Sequence, residues 1–247
     1  MNMEKAIHLN EYDVCLFMGR LYNHDYLWFS SNEISKISTT QPVIHNYALS
    51  YALSHRSYGI FVGSTPKYVD DPDGEFGSMP VYATPADCKE TVSRTTITFN
   101  ALDTRTLTTG DSKTMNTPNL GKRVYLDPIW EPREIQRPRK GYQFYAFVFD
   151  NYQLPSVVRI GKKSAPVRIW WEEITEPVAF LQEKPRRPTH LINPLDINGK
   201  LISFDPVIIP PHMLFRMATI AEDWWVFGKG HAVHVPKRVL NRIGSAA

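Results

Sequence analysis

Apolar positions along this chain follow two periods, and the segment from Gln41 to Leu53 carries the helical one most clearly. Ile44, Tyr47, Ala48, Tyr51 and Ala52 fall at i, i+3, i+4, i+7 and i+8, which predicts a helix over 42–57. Pro42 suits its first turn, Thr40 or Gln41 its cap, and Gly59 a left-handed end, with a strand following at Ile60-Phe61-Val62. His45 and Asn46 then fall in the first turn, where free backbone N–H groups and the positive dipole end attract anions such as phosphate. A plain capping role is the commoner reading of such a polar pair.

Elsewhere the pattern is that of strands. Residues 5–18 alternate around an irregular middle, and 26–30 (Tyr-Leu-Trp-Phe-Ser) form a second extended run. Turn chemistry fills 63–80, a β-ribbon pattern occupies 92–107, and 108–121 is rich in Thr, Asn, Gly and Ser, as an exposed hairpin tip would be. Residues 142–149 are too continuously apolar for a surface strand and predict a central one. Short apolar runs at 157–160, 167–171, 206–209 and 224–227 lie between Gly and Pro punctuation. The sum is an α+β protein in one domain, 1–247, with a β-rich insertion near 86–140.

Composition narrows the class. The 247 residues are 43% hydrophobic, enough for one sizeable core and against wholesale disorder. No 18-residue apolar run suggests a membrane helix, and Met1–Ala6 lacks a signal-peptide core, so a cytoplasmic protein without a membrane partner is expected. Cys15 and Cys88 are too few for a disulfide framework or a thiolate zinc site. His231 and His234, three apart on a predicted strand, face opposite ways and find no third ligand, so no metal or other cofactor is expected.

A net charge of +3 confines any nucleic-acid surface to patches. Lys122, Arg123, Arg133, Arg137, Arg139 and Lys140 form one cluster, stiffened by Pro128, Pro132 and Pro138. Arg159, Lys162, Lys163 and Arg168 form a second without acidic neighbours, and Lys184, Arg186 and Arg187 a third. Each alone is equally well a solvated surface. Together with Tyr125, Trp130 and Tyr142 they favour RNA, because cations hold the phosphates while aromatic rings stack unpaired bases.

Gly161-Lys162-Lys163-Ser164 is not a P-loop: Ser156 stands where the first glycine belongs, and Lys163 follows Gly161-Lys162 in place of Ser or Thr. It predicts a tight turn presenting two lysines. Asn193-Pro194-Leu195-Asp196 predicts a structural turn capped by its Asn and Asp side chains, and Trp224-Trp225 with Phe227 either a core strand end or a partner patch.

The helix segment HNYALSYAL, the stretch from Arg159 to Ile169 and the stretch from Thr189 to Asp196 come in an order that resembles the type I-D member of the Cas-five family, the subunit at the foot of a CRISPR Cascade effector complex. The resemblance spans about two-thirds of the chain. It implies a ferredoxin-like (RRM-like) antiparallel sheet with a β-hairpin thumb. It also implies a non-catalytic subunit that binds the 5′ handle of the CRISPR RNA and links the large subunit to the backbone subunits, with target DNA as a further candidate partner. On this reading the RNA-binding residues are His45, Asn46, Tyr47, Arg123, Arg137, Arg139, Lys140, Arg159, Lys162, Lys163 and Arg168, with the glycine-and-basic turn facing the RNA. Some relatives cleave precursor RNA without metal, and His45, Tyr47, His55 and Lys162 would be the groups for that alternative.

Overall fold

The computed structural model describes residues 6–34, 37–55, 77–100, 120–129 and 141–246. In chain order the first strands are β1 (Ala6–His8), β2 (Val14–Asn23), β3 (Asn32–Ile34), β4 (Ile37–Thr39) and β5 (Val43–Ile44), followed by helix α1 (Asn46–Leu53). Next come β6 (Val81–Ala83), β7 (Ala86–Asp87), β8 (Arg94–Asn100), β9 (Leu120–Leu126), β10 (Tyr142–Phe149), β11 (Val157–Ile160) and β12 (Ala165–Ile174). The chain closes with β13 (Val178–Gln182), β14 (Lys200–Val207), β15 (Leu214–Ala221), β16 (Asp223–Gly228), β17 (His231–His234) and helix α2 (Lys237–Ala246). It is strand-rich α+β, as the alternation predicted.

The large sheet has seven strands in the order β11-β12-β2-β10-β7-β5, with β6 also paired to β10. Its β10 lies centrally between β2 and β6, and six of its eight residues run buried in an unbroken stretch from Phe144 to Phe149. Both β2 and β6 pair antiparallel with β10, so they run parallel to each other, joined through α1.

The pleat divides the residues of this sheet between two cores. Leu21, Phe144, Ala146, Val167 and Ile169 face one core together with Leu49 and Leu53 of α1. Leu16, Met18, Tyr145 and Phe147 face the other, covered by Ala179, Val226 and Val233 of the four-stranded sheet β1-β13-β16-β17 and by Val239 and Ile243 of α2. Two layers on one central sheet bury both of its faces.

The helix expected over 42–57 is shorter than its periodicity suggested. Val43 and Ile44 pair with β7, and the Pro42 carbonyl accepts a bond from the Cys88 N–H at 3.2 Å. Two β-branched residues with a ladder partner favour the strand over a first helical turn. His45 becomes the cap, its Nδ1 accepting the Tyr47 N–H at 3.3 Å. The supposed single apolar face is also divided, with Tyr47 and Tyr51 in one core and Ala48 and Ala52 against the other.

The run at 26–30 is likewise reduced to a bridge, Leu27 and Leu126 exchanging backbone bonds of 2.9 Å each way. That bridge ties a third sheet, β3-β4-β9-β8, to the body of the molecule. Within it β8 and β9 pair antiparallel from Arg94 opposite Leu126 to Asn100 opposite Leu120, while β4 and β9 run parallel. Gly59, the strand at 60–62, the hairpin tip from 108 to 119, Trp130, Arg133, Arg137, Arg139 and Lys140 lie outside the described residues.

Candidate nucleic-acid interface

The interface begins with the glycine turn. β11 and β12 pair from Val157 opposite Arg168 to Ile160 opposite Ala165, and Gly161 turns the chain at φ +78°. The turn is docked on the segment before β3, where Lys162 N–H donates to the Trp28 carbonyl at 3.0 Å. A Cβ on Gly161 would lie 2.9 Å from that oxygen and 3.1 Å from Leu27 Cδ1. Only glycine meets both the positive φ and the close approach. Arg159 closes the turn from beneath, its guanidinium donating to the Ser164 carbonyl at 3.0 Å.

Two cations from distant segments meet on one ring here. Lys162 Nζ lies 5.1 Å from the centroid of Trp28, and the Arg123 guanidinium, carried in on β9, lies 4.3 Å from the same centroid. Both distances fall within cation–π range. Tyr125 flanks Trp28 with centroids 6.1 Å apart, and the exposed Tyr26 stacks edge-on against Tyr125 at 6.1 Å. Lys163 is exposed beside this cluster. Arg159 and Arg168 are exposed on the outer side of the β11–β12 edge, with Tyr22 opposite Arg168 in register. Trp28 and Tyr125 are themselves buried and serve to hold Arg123 and Lys162 in place, so the surface offers a cluster of cations with the exposed ring of Tyr26 at its edge, a combination suited to the phosphates and a base of an unpaired strand. Gly161→Ala is expected to destabilise the protein by about 1–3 kcal/mol, from the positive φ and the contact with the Trp28 carbonyl. It should also raise Trp28 fluorescence sensitivity to a soluble quencher, and equal melting and quenching in variant and wild type would oppose it.

The helix-start residues do not join this surface. His45 is buried at the cap, where burial, and then the neighbouring His212, lower its pKa to about 3. Asn46 has no exposed surface, donates to the Tyr82 hydroxyl at 3.3 Å and accepts from Asn193 Nδ2 at 3.2 Å. Tyr47 is buried in the second core, with its hydroxyl near His212 Nε2 at 3.4 Å and Arg238 at 3.4 Å. The three residues predicted to hold phosphate are therefore interior. A polar pair at a helix start fits a cap and a buried network equally well, and here the network wins. Tyr125 and Tyr142, offered as base-stacking rings, are also buried, Tyr142 completely.

That network includes the other motif of the resemblance. Asn193 caps a 3-10 turn over Pro194–Asp196 by accepting the Leu195 N–H, as the sequence predicted, whereas Asp196, expected to cap the same turn, directs its carboxylate to Tyr82 and Arg238 instead. The buried Asp196 accepts from the Tyr82 hydroxyl at 2.5 Å and is ion-paired with Arg238 of α2 at 3.0 Å. Burial raises the Asp196 pKa, with Arg238 and the Tyr82 hydroxyl opposing the rise. HNYALSYAL and NPLD thus meet inside the protein and bind α1, β6 and α2 together.

The groups assembled for cleavage do not converge. His45 caps one end of α1 and His55 lies past the other, with the eight-residue helix between them about 12 Å long at 1.5 Å per residue. Lys162 belongs to the Trp28 cluster. A histidine held neutral near pKa 3 is also poorly matched to proton transfer at neutral pH. His231 and His234 part as expected: His231 Nδ1 meets the Tyr145 hydroxyl at 2.6 Å, and the buried His234 meets Asp223 at 2.8 Å.

Sequence reasoning missed Trp28 and Tyr26 as site residues. The only signal was aromatic content at 26–30, because the partners of Trp28 come from β9 and the β11–β12 turn.

The family model for the type I-D CRISPR-associated protein Cas5/Csc1 matches residues 16–242. The chain belongs to that family. Comparison with curated proteins found no match. Among solved structures, the chain aligns with one in "Cryo-EM structure of the Type III-B Cmr-beta bound to cognate target RNA and AMPPnP, state 1". That alignment has 10% identity and a TM-score of 0.38, covers 92% of this chain and 88% of that one, and at such a score carries no argument.

Proposed function

We propose that this Cas-five family chain is a non-catalytic, RNA-binding subunit of a type I-D Cascade, active in antiviral defence in the cytoplasm. It holds the 5′ handle of the CRISPR RNA and joins the large subunit to the backbone subunits. The observation that carries this reading is the meeting of Arg123 and Lys162 over Trp28, with Lys163, Arg159 and Arg168 beside it. Cations beside an aromatic ring hold the backbone of an unpaired strand, the form in which a guide presents its handle.

Two finer readings belong to the same proposal. The strands β12-β2-β10-β6 follow the antiparallel order of a ferredoxin-like core, with the crossover from β2 to β6 running through α1 and β11 standing where a second helix would be. The β8–β9 ribbon, carrying Arg123, serves as the thumb that meets a backbone subunit. Among the described residues no helix is long and apolar enough to cross a membrane, in keeping with a cytoplasmic complex.

Co-expressing the chain with the other complex subunits and a repeat array, then sequencing the RNA that copurifies, tests the function. Small RNAs sharing one 5′ end are expected. RNA without a common end, or none, would overturn the handle assignment.

A further inference from the structure

The third basic cluster lines a groove that the proposed handle site does not use. It has a volume of about 710 Å³, and its walls include Arg186, Arg187, Thr219, Phe227, Lys229 and His231. No acidic residue lines it. Phe227 keeps 39% of its surface exposed although it sits on a strand of the second sheet, and the Arg186 guanidinium lies 5.8 Å from its ring centroid. Arg187 is oriented by a bond from Nε to Thr219 Oγ1 at 3.0 Å. Lys229 and Gly230 form the two-residue hairpin turn between β16 and β17, at φ +49° and +81°. A lysine is unusual at the first of those positions, which Asn, Asp or Gly normally fills, and it places an ammonium at the rim. Its contact with Glu172 at 3.3 Å is an exposed pair, with the lysine side chain 57% accessible, and such pairs are readily exchanged for a stronger anion.

We propose that this groove is a second, separate subsite that takes one nucleotide unit, its phosphate held by Arg186, Arg187 and Lys229 and its base laid against Phe227. The volume falls within the range of ligand sites, about 300–1,000 Å³. The combination of three cations with one accessible ring matches a nucleotide better than an acidic peptide, whose carboxylates would leave the ring uncovered. The site stands apart from the glycine turn. Glu172, which reaches Lys229, lies seven residues along β12 from Ala165, about 23 Å at 3.3 Å per residue. An unpaired strand leaving the Trp28 cluster along β12 would arrive here, whereas a free nucleotide would use the groove alone.

The test uses the full chain with oligouridine and, separately, uridine 5′-monophosphate as probes. Ultraviolet cross-linking of oligouridine followed by peptide mapping is expected to label the segment around Phe227. Arg186→Gln/Arg187→Gln should weaken oligouridine binding about tenfold and lower its salt slope by about 0.7 units, the value for one single-strand phosphate contact. Lys162→Ala/Lys163→Ala should leave the label at Phe227 in place, so failure of the handle site and failure of this one are distinguishable. Competition by the monophosphate at concentrations far below its ionic-strength effect supports a free-nucleotide site, and labelling without such competition supports a strand site. No label near Phe227, with affinity unchanged in Arg186→Gln/Arg187→Gln, would overturn the proposal. Loss of complex assembly in that variant with oligouridine binding intact would also overturn it, and would assign the patch to a protein partner.

Discussion

Asp196→Ala is expected to lower the unfolding free energy by about 3–5 kcal/mol, the range for breaking a buried ion pair from one side. The substitution takes the Asp196 carboxylate away from the buried Arg238 guanidinium and from the Tyr82 hydroxyl that donates to it. Through Tyr82, Asn46 and Asn193, it also slackens the contacts that hold α1 to the 3-10 turn. Adding Arg238→Met to Asp196→Ala should recover much of the loss, because removing both charges is far less costly than stranding one. Lys229→Ala makes a useful contrast. It breaks an exposed pair and should change stability by about 0–1 kcal/mol. Urea unfolding of the four proteins checks all three statements. An Asp196→Ala variant within about 1 kcal/mol of wild type would contradict the role given to the network.

Acidification from neutral pH is expected to destabilise the fold sharply. Burial, and then His212, hold His45 near pKa 3, and burial does the same for His190. The unfolded histidines titrate near 6.5, so between about pH 3 and 6.5 the unfolded state binds more protons. Stability therefore rises with pH across that window and is lost as pH falls through it. At pH 5 each histidine removes about 2 kcal/mol, from 1.36 kcal/mol per unit of displacement.

Asp223 acts in the same direction at lower pH, once the ordinary carboxylate range is reached. Burial alone would raise its carboxyl, but the His234 bond and charge and the Gly199 and Trp224 N–H groups bring it below the usual range. Asp196, raised by burial, is more readily protonated in the folded protein and tempers the loss. The urea midpoint should drop clearly between about pH 7.5 and 5. His45→Asn keeps a competent cap while removing one of the two titrations, and should flatten the dependence. Equal midpoints at both pH values would oppose the burial of these histidines as neutral groups.

How far the fold could be read from sequence followed from how local each determinant is. The central strand at 142–149 was legible because an apolar run that long has few other homes, and the β11–β12 turn because Gly161 and its flanking alternation are adjacent in sequence. The first turn of α1 was not, since Val43 and Ile44 take their strand partners from Ala86 and Asp87. The same limit governs the site. Lys162, Lys163, Arg159 and Arg168 were visible as a cluster without acidic residues. Their meeting with Arg123 over Trp28 depends on three segments brought together by tertiary packing. His45, Asn46 and Tyr47 carried the family pattern, but the residues that bury them (Tyr82, Asn193, His212 and Arg238) lie far along the chain.

The salt dependence of RNA binding tests the central claim most directly. Handle-bearing RNA would be titrated with the full wild-type chain and with Lys162→Ala/Lys163→Ala across a series of ionic strengths. Two phosphate contacts on a single strand correspond to about 1.4 units of slope, and the variant should lose that much along with about tenfold in affinity. Its melting temperature should hardly change, since both side chains are on the surface. A variant with the slope and affinity of the wild type would contradict the assignment of the glycine turn to RNA.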